Sequence, residues 1–266
     1  MEQRKSSRRT FLKTTALTVA IAGITPRSLL ASGLFRENAR VAEEEKDLVF
    51  LFQGDSITEG GRWINSSDQN HIMGQDYAFI ISSHLGVDFP KSGFSFYNRG
   101  ISGNTVFDLQ KRWKTDSLDI KPDILSVLIG INDTFAVITN PTQAETMEQF
   151  EAAYRDILTQ SKQSNPRTLF VLGIPFVYPV GPRKVKWELW RDETAKRAAV
   201  VRKLAAEFNA IVVDYPAMFA KVMKTTPVDY WIWDGIHPTI FGHELMAREW
   251  VKQVGEKLRF LKRIYV

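Results

Sequence analysis

The chain of 266 residues contains no cysteine. That excludes a disulfide framework, a thiolate metal site, a cysteine nucleophile and a lipidated cysteine anchor. It also lacks Gly-x-x-x-x-Gly-Lys-Ser/Thr, and no Gly-x-Gly-x-x-Gly follows its first apolar run. The two common glycine cradles for nucleotide phosphates are therefore missing. Histidine is scarce, four in all, and His71, His84 and His243 have no partners at metal-ligand spacing. We expect no metal and no cofactor.

Excess charge is confined to one end. The net charge is +5, but residues 1–33 hold six of the 35 Lys/Arg and one of the 30 Asp/Glu, which leaves 29 of each elsewhere. The remainder is neutral, so the basic balance is no sign of a nucleic-acid partner. The basic end reads Ser7-Arg8-Arg9-Thr10-Phe11-Leu12-Lys13, then an apolar stretch from Thr14 to Ile24, then Ala31-Ser32-Gly33. This is the three-part layout of an export signal with paired arginines. The apolar stretch has 11 residues, against about 20 for a membrane-spanning helix. The expected organisation is a twin-arginine signal peptide at 1–33, a polar linker at 34–46 and one folded domain at 47–266. The twin-arginine translocase is then a partner during export. The mature protein is expected in the periplasm or outside the cell, without stable membrane association.

What the rest of the chain offers is alternation. Short apolar runs at Leu48–Gln53, Phe94–Asn98, Ile124–Ile129, Thr168–Ile174 and Ala210–Asp214 lack period-two patterning, as strands covered on both faces do. Helical patterns over Gly74–Leu85, Thr105–Trp113, Thr142–Ser164, Val185–Asn209 and His243–Arg259 lie between or after them. Strand–helix alternation predicts an α/β fold, a parallel sheet in three layers. Ligands of such sheets bind beyond the carboxyl ends of the strands.

Three loops leave that edge: Gly54-Asp55-Ser56-Ile57, then Asn98 to Thr105, then Gly130-Ile131-Asn132-Asp133. Together they offer a hydroxyl, backbone N–H groups and a carboxamide. Near the C-terminus, Asp234 and His237 stand three apart, a spacing that on one helical turn puts both on one side. A carboxylate there can hold one imidazole nitrogen and leave the other as a base. Serine needs such a base, because its hydroxyl is a weak nucleophile near neutral pH. Candidate oxyanion donors are the N–H groups of Ser56 and Gly103 and the Asn132 amide. Asp55 and Asp133 are expected to brace their loops.

The four blocks Gly54-Asp55-Ser56, Asn98-Arg99-Gly100-Ile101-Ser102-Gly103-Asn104-Thr105, Gly130-Ile131-Asn132-Asp133 and Asp234-Gly235-Ile236-His237 resemble those of the SGNH hydrolases, or GDSL esterases, in family order. The resemblance implies a flavodoxin-like sheet of about five parallel strands in the order 2-1-3-4-5. It implies Ser56 as nucleophile, His237 and Asp234 as its partners, and Gly103 with Asn132 in the oxyanion hole. Gly100 and Gly103 can each offer a backbone donor, and the resemblance favours Gly103. It also implies a cofactor-free serine esterase acting on a small-molecule or polysaccharide ester. Deacetylation of a glycan leads, with a lipid, lysophospholipid or thioester acylhydrolase as the alternative. A carbohydrate-binding protein on an inactive form of the fold is the non-enzymatic alternative. Trp231 and Trp233, just before the acid–histidine pair, are candidates for a sugar-stacking wall. Tyr178, Arg183, Trp187 and Trp190 are candidates for a lid near the cleft.

Overall fold

The computed structural model describes residues 47–64 and 68–263. The leader and linker read from the sequence lie outside the described residues. The runs form five parallel strands: β1 (Val49–Gly54), β2 (Ser95–Asn98), β3 (Ile124–Leu128), β4 (Leu169–Gly173) and β5 (Ile211–Val213); the central β1, β3 and β4 are apolar and almost wholly buried, while the edge strand β2 is partly exposed. The sheet order is β2-β1-β3-β4-β5, the order that the family resemblance implies. Phe52 pairs with Asn98 on one side and with Ser126 on the other, so the first three strands end close together at one edge.

Successive side chains point to opposite faces of a strand, and each face meets its own helices. Phe50 and Phe52 enter one core with Tyr77, Tyr215, Met246 and Trp250. Leu51, Leu125 and Val127 enter the other with Val106, Trp113, Tyr154 and Leu204. Trp250 is fully buried, and its indole N–H donates to Ser126 Oγ at 3.0 Å, which explains a hydroxyl inside a covered strand.

The helices are α1 (Ser56–Glu59), α2 (Tyr77–Asp88), α3 (Val106–Trp113), α4 (Ile131–Thr139), α5 (Met147–Ser164), α6 (Trp187–Glu207), α7 (Tyr215–Val222), α8 (Val228–Trp231) and α9 (Ile240–Gly255). Their starts follow the capping rules. Thr105 and Asp108 make a reciprocal capping box for α3, as Thr146 and Gln149 do for α5. A π turn, Lys114–Leu118, continues α3 and sits beneath the end of β1.

Several boundaries differ from the sequence pattern. The last helix starts at Ile240, capped by Thr239, rather than at His243. Ile131–Thr139, outside the helical patterns of the sequence, is helical, with Ile131, Thr134 and Ile138 buried. Asp234 and His237 are not on a helix. They occupy a tight turn closed by the Ile232–Pro238 bridge, in which Gly235 has φ +93°. Pro238 and a left-handed glycine rule out regular helix here, yet the turn still places the two side chains together.

Candidate active site

β1 ends at Gly54 because nothing larger fits. A Cβ there would lie 2.4 Å from Thr58 Oγ1 and 2.5 Å from the Leu128 carbonyl oxygen. The next residue, Asp55, is buried, and its carboxylate accepts from the Ile57 N–H at 3.0 Å. This cap starts α1 with Ser56 as its first residue. Burial pushes the Asp55 carboxyl up to about 7, against the opposing pull of the Ile57 N–H and of nearby His237.

Ser56 Oγ lies 2.8 Å from His237 Nε2. On the other side of the ring, Nδ1 lies 2.8 Å from Asp234 Oδ2. Asp234 Oδ1 is held by the N–H groups of Ile236 at 2.9 Å and His237 at 2.8 Å. Partial burial would raise the Asp234 carboxyl, but the His237 ring and these two amides hold it down at about 2. Asp234 is thus an acceptor at any ordinary pH. The proton of the ring then sits on Nδ1, and Nε2 is left to accept from the serine.

The second loop is tied down along its length. Asn98, the last residue of β2, donates to the carbonyls of Thr58 at 2.5 Å and Met73 at 2.9 Å, and its own oxygen accepts from Gly100 N–H at 2.9 Å. Gly100 also lies against the α1 backbone, where a Cβ would come 2.4 Å from Glu59 N. Its N–H is therefore occupied and its surroundings closed. Gly103 differs: it is exposed, has φ +80°, and a Cβ there would meet open space. Of the two glycines, Gly103 is the one with open space beside it.

Asn132 stands in the first turn of α4. Its Nδ2 donates to the Asn104 carbonyl at 3.1 Å. An amide nitrogen carries two hydrogens, so this bond fixes one and leaves the other for a ligand. Asp133 Oδ1 accepts from Val106 N–H at 3.2 Å, which joins the second and third loops. Burial pushes its carboxyl up to about 7, and Oδ2 has no partner among the described residues.

The two tryptophans separate. Trp233 is 61 % exposed, and its ring lies near-parallel to that of His237 with centroids 6.0 Å apart. Trp231 packs against the core with its indole nitrogen buried. Trp190 is buried too, beneath the Arg183 guanidinium at 4.9 Å, while Tyr178 N–H donates to Gly235 O at 2.8 Å. Tyr178 and Arg183 lie against the acid–histidine turn, where a Cβ on Gly235 would come 2.5 Å from the Tyr178 carbonyl oxygen and 2.7 Å from Arg183 Cγ. His71 pairs with Asp68 at 2.6 Å, and His243 is kept neutral, its pKa lowered to about 4 by burial and by His237. Among the described residues, no cluster of three or more His, Asp or Glu is arranged around a metal position.

The arrangement can activate a serine, accept its proton and stabilise charge on an attacked carbonyl oxygen. The comparisons with known proteins agree. The GDSL-like Lipase/Acylhydrolase family matches residues 52–245. An acetylxylan esterase of Geobacillus stearothermophilus is 32% identical over 209 residues, 77% of this chain and 93% of that protein. A crystal structure of the acetylxylan esterase Axe2 from the same organism superposes with a TM-score of 0.69 at 32% identity, over 79% of this chain and 95% of that one. A protein assigned as a GDSL-like lipase from Parabacteroides merdae superposes at 0.75 with 37% identity, over 79% and 97%. A serine, histidine and aspartate at one sheet edge, a five-strand fold in the same order and a family match across most of the chain converge: the chain belongs to the GDSL-like lipase/acylhydrolase family, the SGNH hydrolases, and is a carboxylic ester hydrolase.

Proposed function

We propose that the protein is an exported serine esterase that removes acetyl groups from an O-acetylated poly- or oligosaccharide. The observation that carries the mechanism is the chain from Ser56 Oγ through His237 to Asp234, with both links at 2.8 Å. Ser56 Oγ attacks the ester carbonyl as its proton passes to His237 Nε2. Asp234 pairs with the imidazolium so formed. The oxyanion takes hydrogen bonds from Ser56 N–H, Gly103 N–H and Asn132 Nδ2. Collapse of the intermediate expels the alcohol, which takes the proton from His237. Water, deprotonated by the same nitrogen, then releases acetate from the acyl-serine.

Two observations favour a short acyl group on a sugar. The relatives named above include acetylxylan esterases, and the exposed Trp233 ring beside His237 offers an apolar face of the kind on which a pyranose stacks. A lipid acylhydrolase needs an apolar groove leading from the nucleophile. The apolar cavity of about 550 Å³ between β4, α6 and α7 is lined by Ile174, Phe176, Trp187 and Ala198 among others, and by neither Ser56 nor His237. It does not serve as that groove. Among the described residues no helix is long and apolar enough to cross a membrane.

The test compares the leader-free protein with Ser56→Ala on p-nitrophenyl esters from acetate to palmitate, then on acetylated xylan. Activity should fall with chain length, and acetate should be released from xylan. Undiminished turnover by Ser56→Ala overturns the mechanism, and preference for palmitate overturns the substrate. Export by the twin-arginine route rests on Arg8 and Arg9. Lysine at both should leave the precursor inside the cell, and normal export would refute that route.

A further inference from the structure

We propose that Arg112 is a positioning residue that sets the Asn132 amide for oxyanion binding by acting through Asn104. The proposal rests on the serine esterase reading above and adds a residue that none of the four sequence blocks contains. Arg112 lies on α3, and its side chain is 15% exposed. Nε donates to Asn104 Oδ1 at 2.9 Å, and Nη1 donates to Gln53 Oε1 at 3.1 Å and Asp116 Oδ2 at 2.8 Å. Nη2 reaches the Gly54 carbonyl at 3.5 Å. One rigid fork therefore ties the last residues of β1, immediately before Ser56, to the loop that carries Gly103 and Asn104.

The far anchor is itself fixed. Gln53 is fully buried and donates from Nε2 to Asp116 O at 2.8 Å and Ser117 Oγ at 2.7 Å. The near end matters because the Asn104 carbonyl accepts one of the two Asn132 amide hydrogens. That bond decides which end of the carboxamide faces the substrate. With Asn104 in place, Nδ2 points inward and its second hydrogen can meet the oxyanion. With Asn104 displaced, the amide can turn and present its oxygen, an acceptor facing a negative charge. Arg62 Nε on the Gly100 carbonyl at 3.0 Å and Glu59 on Ser102 N–H at 2.5 Å hold the earlier part of the loop. Asn104 N–H donates to the Ile101 carbonyl at 3.2 Å, and Arg112 is the tie on the Asn104 side chain.

The effect should appear in turnover and not in binding, because the oxyanion exists only beyond the ground state. Arg112→Met should lower kcat on p-nitrophenyl acetate about tenfold with KM nearly unchanged. Arg112→Lys should not restore it, since an ammonium cannot reach Asn104, Gln53 and Gly54 together. The decisive measurement is a double-mutant cycle. In an Asn132→Ala background, Arg112→Met should cost less than about twofold more, because the group it positions is gone. Asn104→Ala leaves the backbone carbonyl but removes the Arg112 contact, and it should show the same non-additivity with Asn132→Ala even if Arg112→Met folds poorly. Fully additive losses, or a rise in KM at constant kcat, overturn the proposal. Ser56→Ala run alongside separates the two readings: residual full activity there sinks the serine mechanism, whereas an inactive Ser56→Ala with additive cycles sinks only the role of Arg112.

Discussion

Replacing Asp234 by Asn tests the proton logic of the site with almost no change in shape. In the native turn, Asp234 Oδ1 accepts two backbone N–H groups, from Ile236 at 2.9 Å and His237 at 2.8 Å. An asparagine must keep its oxygen there, because an amide nitrogen facing two donors would leave three groups unpaired. Its NH2 then occupies the place of Oδ2, 2.8 Å from His237 Nδ1. A donor at that point forces Nδ1 to be the acceptor and moves the ring proton to Nε2. Nε2 now faces Ser56 Oγ as a donor and cannot take its proton. The carboxylate that would balance the imidazolium is lost as well. Together these should lower kcat on p-nitrophenyl acetate roughly 10³–10⁴-fold, about 4–5.5 kcal/mol of barrier, with KM little changed. The backbone bonds survive, so the melting temperature should move by only a few degrees. Asp234 is held at about 2, so the native enzyme should show no loss of activity between pH 9 and 5 that traces to this carboxyl. An Asp234→Asn enzyme that keeps more than about a tenth of native kcat would refute the tautomer argument.

Three further perturbations follow from the same geometry. Asp133 is buried with its carboxyl raised from 3.8 to about 7, so the folded state holds more protons than the unfolded one between those values, and stability falls as pH rises from about 4 to 7. Asp133→Asn removes that penalty; thermal melts should show the variant gaining over the native protein at pH 8, with the difference shrinking at pH 5. Trp233→Ala should raise KM for acetylated xylooligosaccharides several-fold while p-nitrophenyl acetate turnover is unaffected, whereas Trp231→Ala should lower stability by about 2–3 kcal/mol in a chemical melt. Gly54→Ala should fail to fold or lose activity, because its methyl would meet the Leu128 carbonyl at 2.5 Å; Gly103→Ala, in open space at φ +80°, should fold at a cost of about 1 kcal/mol, read from urea unfolding.

The central strands were legible because a strand covered on both faces has to be a short apolar run, and Phe50, Leu51 and Phe52 all fall below 2 % exposure. Short helices were not: α4 begins at a left-handed Gly130 with no side-chain cap, so nothing in Ile131-Asn132-Asp133 announces a start. The Lys- and Arg-rich surface of α6 reads as a solvated face, yet Arg197 on it is 1 % exposed and donates to the Asp133 carbonyl at 3.0 Å. Charge in a sequence window does not say which cation turns inward, because that depends on a carbonyl 64 residues away. The same reason hid Arg112, whose acceptors come from β1, the Asn104 loop and the π turn.

That difference has a chemical meaning. The groups that the proposed mechanism sets against substrate, Ser56, Gly103, Asn132 and His237, sit in the loops or first helical turns that follow strands, or in one closed turn, where local spacing brings them to the sheet edge. The groups that aim them act across the sequence: Asn98 onto Thr58 and Met73, Arg112 onto Gln53 and Asn104, Asp133 onto Val106. An oxyanion hole lowers a barrier only if its donors already point at the oxygen before charge develops, since reorienting them during the reaction would return the energy gained. A loop such as Asn98–Thr105, with an exposed glycine at φ +80°, has little stiffness of its own. Its rigidity comes from the buried Asn98 amide at one end, Arg62 and Glu59 along it, and the largely buried Arg112 side chain at the other. Substitutions at these supports should therefore change turnover although no residue that meets the ester is itself replaced.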